Sequence, residues 1–383
     1  MRSVDRAARG VQLLGLFLLG LTATSLAAVS LVGCGFSSAP ETAADEDEPP
    51  RLLSAYNVVA VHDGKIAPAP GVLEYDLTTP LFSDYTSKYR YVKLPPGTQA
   101  TYHPEKAFAF PVGTIIAKTF AYPHDMRDPS QGERLLETRL FIHKPQGWIG
   151  LPYVWNEAQT EAELTLAGTT IPSKWIHTDG QERTNDYLVP DANQCKGCHK
   201  TDNKVQQPIG PKARYLNRDF VYADGVENQL AHWTRVGALA GAPPAADAPR
   251  APVWNDPSTG DLDHRARAWL DINCGHCHSP EGPARNSGLD LTYLQEHLFR
   301  IGVFKPPVAA GRGSGGLSYD IVPGKPDESI LAYRLAATAP DVMMPELGKR
   351  MVPAEAVALI REWIAAMPED AGAKPRAAGA AGQ

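Results

Sequence analysis

Two short stretches of this chain carry residues whose type and spacing can do chemistry. Cys195-Lys196-Gly197-Cys198-His199 and Cys274-Gly275-His276-Cys277-His278 each set two thiols three positions apart, with an imidazole directly after the second. Thiols at that spacing reach the two vinyl groups on one edge of a haem, and the adjacent histidine swings beneath the iron as its proximal ligand. Each motif therefore predicts one covalently attached haem c. Cys195, Cys198, Cys274 and Cys277 are the attachment points, and His199 and His278 are the iron ligands. A redox dithiol or a four-thiolate zinc site would use the same cysteines, but neither needs the trailing histidine that both copies carry. His276 occupies a variable position inside its motif, is exposed by that position, and is read as non-coordinating.

The fifth and last cysteine, Cys34, ends an apolar run from Val11 towards Val32 that follows Arg2, Arg6 and Arg9. A basic start before an apolar stretch is an export signal. Its end, Leu31-Val32-Gly33-Cys34, resembles the lipobox of bacterial lipoproteins, which implies cleavage before Cys34 and lipidation of that residue. Two or more acyl chains give stable anchoring. The competing reading is a retained membrane anchor, because the run is just long enough to span a bilayer. Gly35, where an inner-membrane retention signal would often show Asp, favours the outer membrane. The expected location is the periplasmic side of a bacterial membrane. Formal charge is −6 over 383 residues and stands near −8 without residues 1–33. An acidic chain with no Lys/Arg-rich run excludes nucleic acid as a partner.

These motifs need elements to hold them. Residues 34–50 form an acidic, proline-containing tether with the run Asp45-Glu46-Asp47-Glu48, too polar to bury. Residues 51–190 have β texture: short alternating or aromatic stretches at 89–94, 114–122, 136–144 and 148–155, with turn chemistry at 95–97 and 145–147. They predict a β-sandwich-like domain. Residues 157–166 fit either a short helix or a strand. A segment at 191–240 carries the first motif and then a helix near 226–239. Residues 241–261 read as a Pro/Ala linker, 262–370 as a compact helical domain around the second motif, and 371–383 as a low-complexity tail. The fold class expected is multidomain α+β. Gly311-Arg312-Gly313-Ser314-Gly315-Gly316 matches a dinucleotide-binding spacing, but prolines precede it where a strand is required, so it reads as a flexible loop.

The C-terminal order is a helix over 263–272, the second motif, a helix over 328–337, Asp341-Val342-Met343-Met344-Pro345, and a helix begun by Pro353 with Val357, Ile360, Ile364 and Met367 on one face. This order resembles class I cytochromes c over about 105 residues, which implies an all-α domain with a methionine of the Met-Pro loop as sixth iron ligand. Proline biases its predecessor to an extended conformation, which selects Met344, with Met343 as the alternative. Neither an entering helix nor a Met-Pro pair accompanies the first motif. Its sixth ligand is open among His103, His124, His143, His177, His232, His264 and Met126, or the position is vacant.

Stretches 75–85, 136–140, 153–157, 208–212 and 320–324 resemble a family of uncharacterised bacterial di-haem c-type cytochromes, exported lipoproteins often found beside a parallel β-helix repeat protein. The likeness spans about residues 55–368. It implies two haems per chain and adds that β-helix protein to periplasmic redox proteins as an expected partner. With no catalytic constellation in view, electron transfer is the function expected. A peroxidase-like enzyme acting at the first haem, and a haem-linked carbohydrate-binding module, are the alternatives.

Overall fold

The computed structural model describes residues 48–372 apart from 63, 202, 203 and 309. Cys34 and the export signal lie outside the described residues, as do most of the tether and residues 373–383 of the tail. From Pro50 onward the chain clusters into one unit.

The chain begins with β1 (Val59–His62), β2 (Lys65–Pro68), β3 (Leu73–Tyr75), β4 (Ser87–Lys93), β5 (Ala100–Thr101), β6 (Ile115–Pro123), β7 (Glu133–Lys144), β8 (Gly147–Trp155), β9 (Ala162–Leu164), β10 (Thr169–Ile176) and β11 (Glu182–Val189). Six of these form one antiparallel sheet in the order β3-β4-β6-β7-β8-β9. Its register is set by alternation. Tyr91, Ala117, Leu140 and Leu151 lie opposite one another across four strands and are all buried on one face, against Leu53, Val58 and Val59. Val92, Ile116 and Phe141 line up on the other face. Gly147, at φ +116°, supplies the backbone that turns β7 into β8. Leu136 is an extra residue in β7 between the pairs Phe120–Glu137 and Ala121–Leu135. This bulge drops Leu136 into a cluster with Trp175, Tyr187 and Val189 of the β10–β11 ribbon.

Next come α1 (Ala192–His199), α2 (Ala213–Leu216), β12 (Asp219–Tyr222), β13 (Gly225–Asn228), α3 (Gln229–Arg235) and β14 (Leu239–Ala240). β14 returns to pair in parallel with β5. Residues 226–239 are thus divided between strand and helix: Asn228 caps α3 by accepting from the Leu230 amide, which starts the helix later than its apolar pattern suggests. The Pro/Ala stretch packs against its surroundings. Ala248 and Ala251 are buried, the Asn217 amide donates to the carbonyls of Ala245 and Ala248, and Thr79 donates to that of Pro252.

The expected fold class is not what the structure contains. Two-stranded ribbons, β1–β2 and β10–β11, accompany the single large sheet where a second sheet was expected. Nor is residues 262–370 an all-α class I cytochrome c domain. Among the described residues strand makes up 28% and helix 24%, so the character is mixed. In this region the helices are α4 (Leu262–Leu270), α5 (Leu298–Ile301), α6 (Ile330–Ala336) and α7 (Ala354–Ala366), and the longest has 13 residues. Long irregular stretches join them, tied by the parallel bridges Val303–Ile321 and Tyr319–Ser329. The helices expected over 263–272, over 328–337 and after Pro353 are present as α4, α6 and α7. What departs from the all-α expectation is the chain between them, where prolines at 306, 307, 323, 326 and 340 keep the backbone from continuing as helix. What these residues share is a core, formed by Ala266, Trp269, Leu270, Leu335, Leu359, Ile360, Trp363 and Ile364.

Candidate haem-attachment site

The first motif lies on α1. Asp191 caps that helix by accepting from the amides of Asn193 and Gln194, while Gln194 closes the capping box back onto the Asp191 amide. The helix leans on β8 at a position that has no side chain: a Cβ on Gly150 would sit 3.0 Å from the Cys195 Cβ. Gly150 pairs with Phe141, whose ring centroid is 4.4 Å from that of His199. The second motif follows α4, whose last turn widens into a π turn over Asp271–Gly275. Such π turns recur at functional sites. Asp271 is buried and takes Tyr215 Oη at 2.5 Å, Arg214 Nη1 at 3.3 Å and Lys212 Nζ at 3.6 Å. Burial alone would raise this carboxyl, but Lys212, Arg214 and the Tyr215 hydroxyl outweigh it and hold it below the ordinary carboxylate range.

Both motif histidines are oriented for metal binding. His199 Nδ1 is 2.9 Å from the Gln207 carbonyl oxygen. A carbonyl can only accept, so Nδ1 holds the proton and Nε2 presents its lone pair. His278 Nδ1 is 2.9 Å from Ser287 Oγ. That hydroxyl gives its own proton to the Ala284 carbonyl, so it accepts from His278 and leaves Nε2 unprotonated there as well. Burial lowers both imidazoles to about 4, which keeps them neutral at physiological pH. Outer hydrogen bonds of this kind characterise metal-ligating histidines.

The two motifs, 79 positions apart in the chain, meet in space. The Cys198 thiol lies beside the thiol of Cys277 and beside His276, and this proximity lowers Cys198 and raises Cys277. His276 is half-buried at this junction, with a buried Nδ1 that has no partner among the described residues. Its position in the motif gave no hint of this. All four cysteines of the motifs are free thiols. Among the described residues no group of three or more His, Cys, Asp or Glu is arranged to hold a bare metal ion. The four-thiolate zinc alternative thus has no preformed geometry. A haem asks less of the protein: two thiols, one imidazole with a free Nε2 and a flat lining, and the residues at each motif fit it.

The Met-Pro loop lies across the junction. A Cβ on Gly197 would come 3.3 Å from Leu347 Cδ1. Glu346 is close enough to Cys277, and Lys349 to Cys274, for their charges to be felt by the thiols. Lys349 is buried and donates to the carbonyls of Leu335 at 2.6 Å and Met344 at 3.1 Å. Met343 is buried and Met344 half-buried. Asp84 fixes the far end of the loop by accepting from the amides of Arg350 and Met351, each at 2.8 Å.

The other candidate ligands have attachments of their own. His143 stacks on Trp148 and hydrogen-bonds the Phe110 carbonyl oxygen, His232 stacks on Tyr222 beside Glu227, and His177 meets Tyr85 edge-on. His103 accepts from the amides of Glu105 and Lys106, and His264 pairs with Asp261. Met126 packs beside Trp175, and His124 lies near Gly132. Sequence reasoning missed Gln207, Ser287, Asp271 and Lys349. Only Asp271, three residues ahead of Cys274 in a helical pattern, carried a readable signal. No helix among the described residues is long and apolar enough to cross a membrane. Compared with known proteins, the chain matches no family model, no curated protein and no solved structure.

Proposed function

We propose that this chain is a di-haem c-type cytochrome that passes electrons between its two covalently held haems and on to periplasmic redox partners, tethered to a bacterial membrane through a lipidated Cys34. One observation carries this reading: two Cys-x-x-Cys-His motifs from distant parts of the sequence are brought together at Cys198 and Cys277, each with its histidine held in the tautomer that offers Nε2. When bound, haem supplies reversible one-electron chemistry. The protein orients the imidazoles, keeps them neutral and encloses the thioether edges. Partner docking is assigned to periplasmic redox proteins, with a neighbouring β-helix repeat protein as a further partner. The test is intact-mass and redox analysis of protein exported by a host that attaches haem c. Two haem increments per chain and two one-electron steps are expected. Replacing Cys195 and Cys198 by alanine should remove one increment, and so should replacing Cys274 and Cys277. Stoichiometric zinc with no haem increment would sink the proposal.

A further inference from the structure

The sheet face beneath α1 is divided by chemistry. Nearest the motif, Val92, Ile116, Phe141 and Gly150 lie in register across β4, β6, β7 and β8. Two residues further along the strands, about 7 Å away at 3.4 Å per residue, the next row on the same face reads Arg90, Lys118, Arg139. Three cations on adjacent strands sit about 5 Å apart, an arrangement that repels itself unless anions intervene.

The anions present do not satisfy it. Arg139 is taken by Glu137, at 2.5 and 2.9 Å. Arg90, 3% exposed, gives Nη1 to Asp76, but its Nη2 is buried with no partner. Lys118 makes no ion pair and no hydrogen bond among the described residues. Its Nζ stands 4.7 Å from the centroid of the Phe120 ring, and the one carboxylate whose charge reaches it among the described residues, Glu137, is already paired with Arg139. Desolvation, followed by the repulsion of Arg90, Lys88 and Arg139, drives its ammonium well below the ordinary lysine range. Lys88, one row on, donates only to the Thr86 carbonyl. A cost of this kind persists in a fold when something absent from the bare chain offsets it. The row also reaches the motif: the charge of Lys118 is felt at His199 and that of Arg139 at Cys195.

Resting on the di-haem reading, we propose that the row Arg90–Lys118–Arg139 seats the propionate carboxylates of the haem attached through Cys195 and Cys198. A haem carries vinyl groups and propionates on opposite sides of one flat, apolar ring. This face offers the same sequence: the Cys195 thiol at Gly150, an apolar row, then a cationic row with an unused guanidinium nitrogen and an ammonium without an ion pair among the described residues. Arg90 is buried and Lys118 and Arg139 are half-buried, and arginine and lysine partly withdrawn from water are the groups that recognise carboxylates.

Lys118→Met tests this in two states of the full-length protein. In haem-free chains, the substitution removes a desolvated charge, so the denaturation midpoint should rise. In haem-loaded chains, it strips a propionate of its partner. The midpoint should then fall relative to loaded wild type, and the resonance Raman propionate bending band should shift. The reduction equilibrium of the first haem should also move about tenfold towards the oxidised form, 59 mV for a one-electron couple, with the second haem unchanged. Lys118→Arg should restore all three. Loaded Lys118→Met with an unchanged band and potential would overturn the inference. So would a shift of the wild-type band on adding succinate, which would assign the row to a diffusible dicarboxylate. Intact mass separates the two readings: chains without haem increments defeat the di-haem proposal itself, whereas loaded chains insensitive to Lys118 defeat only the propionate seat.

Discussion

Replacing Asp271 by alanine should lower the unfolding free energy by about 3–5 kcal/mol, the range for removing one partner of a buried ionic group. Asp271 is the only anion within 4 Å of the Lys212 and Arg214 side-chain nitrogens among the described residues, and it accepts the Tyr215 hydroxyl at 2.5 Å. Its loss leaves two cations without a counter-anion, with only the Glu105 carbonyl at 3.2 Å for Arg214 and the Ala268 carbonyl at 3.3 Å for the Tyr215 hydroxyl, in a site where Arg214 and Tyr215 are themselves buried. The contrast is Asp327, which pairs with Arg361 at 2.7 Å but is 83% exposed as a side chain. Asp327→Ala should change stability by no more than about 1 kcal/mol. The pH dependence follows from the same contacts. The folded state holds the Asp271 carboxyl below its ordinary value, so this contribution is complete above the unfolded-state pKa near 4 and is lost as pH falls through the folded value. Acid unfolding of Asp271→Ala should therefore be shallower over that window than that of wild type. Urea titrations from pH 2 to 7 check both statements, and equal slopes for the two proteins would refute the linkage.

Met344→Ala should lower the reduction potential of the second haem by on the order of 0.1 V, a modest part of the ~0.8 V span that axial ligands command. A thioether favours the ferrous state, and losing it to water or to a nitrogen ligand removes that preference. The expectation rests on where the loop is held. Lys349 grips the Met344 carbonyl, and the Arg334 carbonyl accepts from the Met344 amide at 3.1 Å. Arg334 is also close enough to His278 for its charge to be felt there. Met343 is the internal control. It is 8% exposed, so Met343→Ala should act as a core truncation costing about 2–5 kcal/mol. The pair thus separates ligand from packing: Met344→Ala moves the potential with little effect on stability, and Met343→Ala does the reverse. Potentiometric titration with denaturant melts decides it. An unchanged potential and visible spectrum in Met344→Ala would remove that residue from the iron.

The strands of the large sheet were readable because they are short alternating or aromatic stretches bounded by turn residues. The stretches 89–94, 114–122, 136–144 and 148–155 overlap β4, β6, β7 and β8, the turn at 95–97 follows β4, and that at 145–147 leads from β7 into the first residue of β8. In the C-terminal region the helices at α4, α6 and α7 were readable from their apolar spacing, but the all-α domain was not there, because the long Pro/Gly-rich stretches between them form irregular structure. Trp363 and Leu359, buried on α7, were absent from the face chosen for it. The meeting of the two motifs could not be read at all. It depends on β14 returning to β5 and on Asp271 reaching Arg214 and Tyr215, pairings between residues 56 or more positions apart. The cationic row was equally hidden. Arg90, Lys118 and Arg139 look like ordinary solvent-side residues of alternating strands until the register places them side by side.

The Gln207 carbonyl and the Ser287 hydroxyl do more than choose a tautomer. One belongs to the backbone. The other is held from three sides, donating to the Ala284 carbonyl while accepting from His278 and from the Leu289 amide. Neither dipole is free to turn when the charge beyond the imidazole changes by one. Water in the same position would reorient with every electron that arrived or left, and that reorientation would add to the barrier each time. On the proposed di-haem reading, the ordering is done once, as the chain folds, and does not recur with each electron. In a carrier, a stiff polar shell of this kind favours the rate of exchange and leaves the resting affinity for electrons to be set elsewhere.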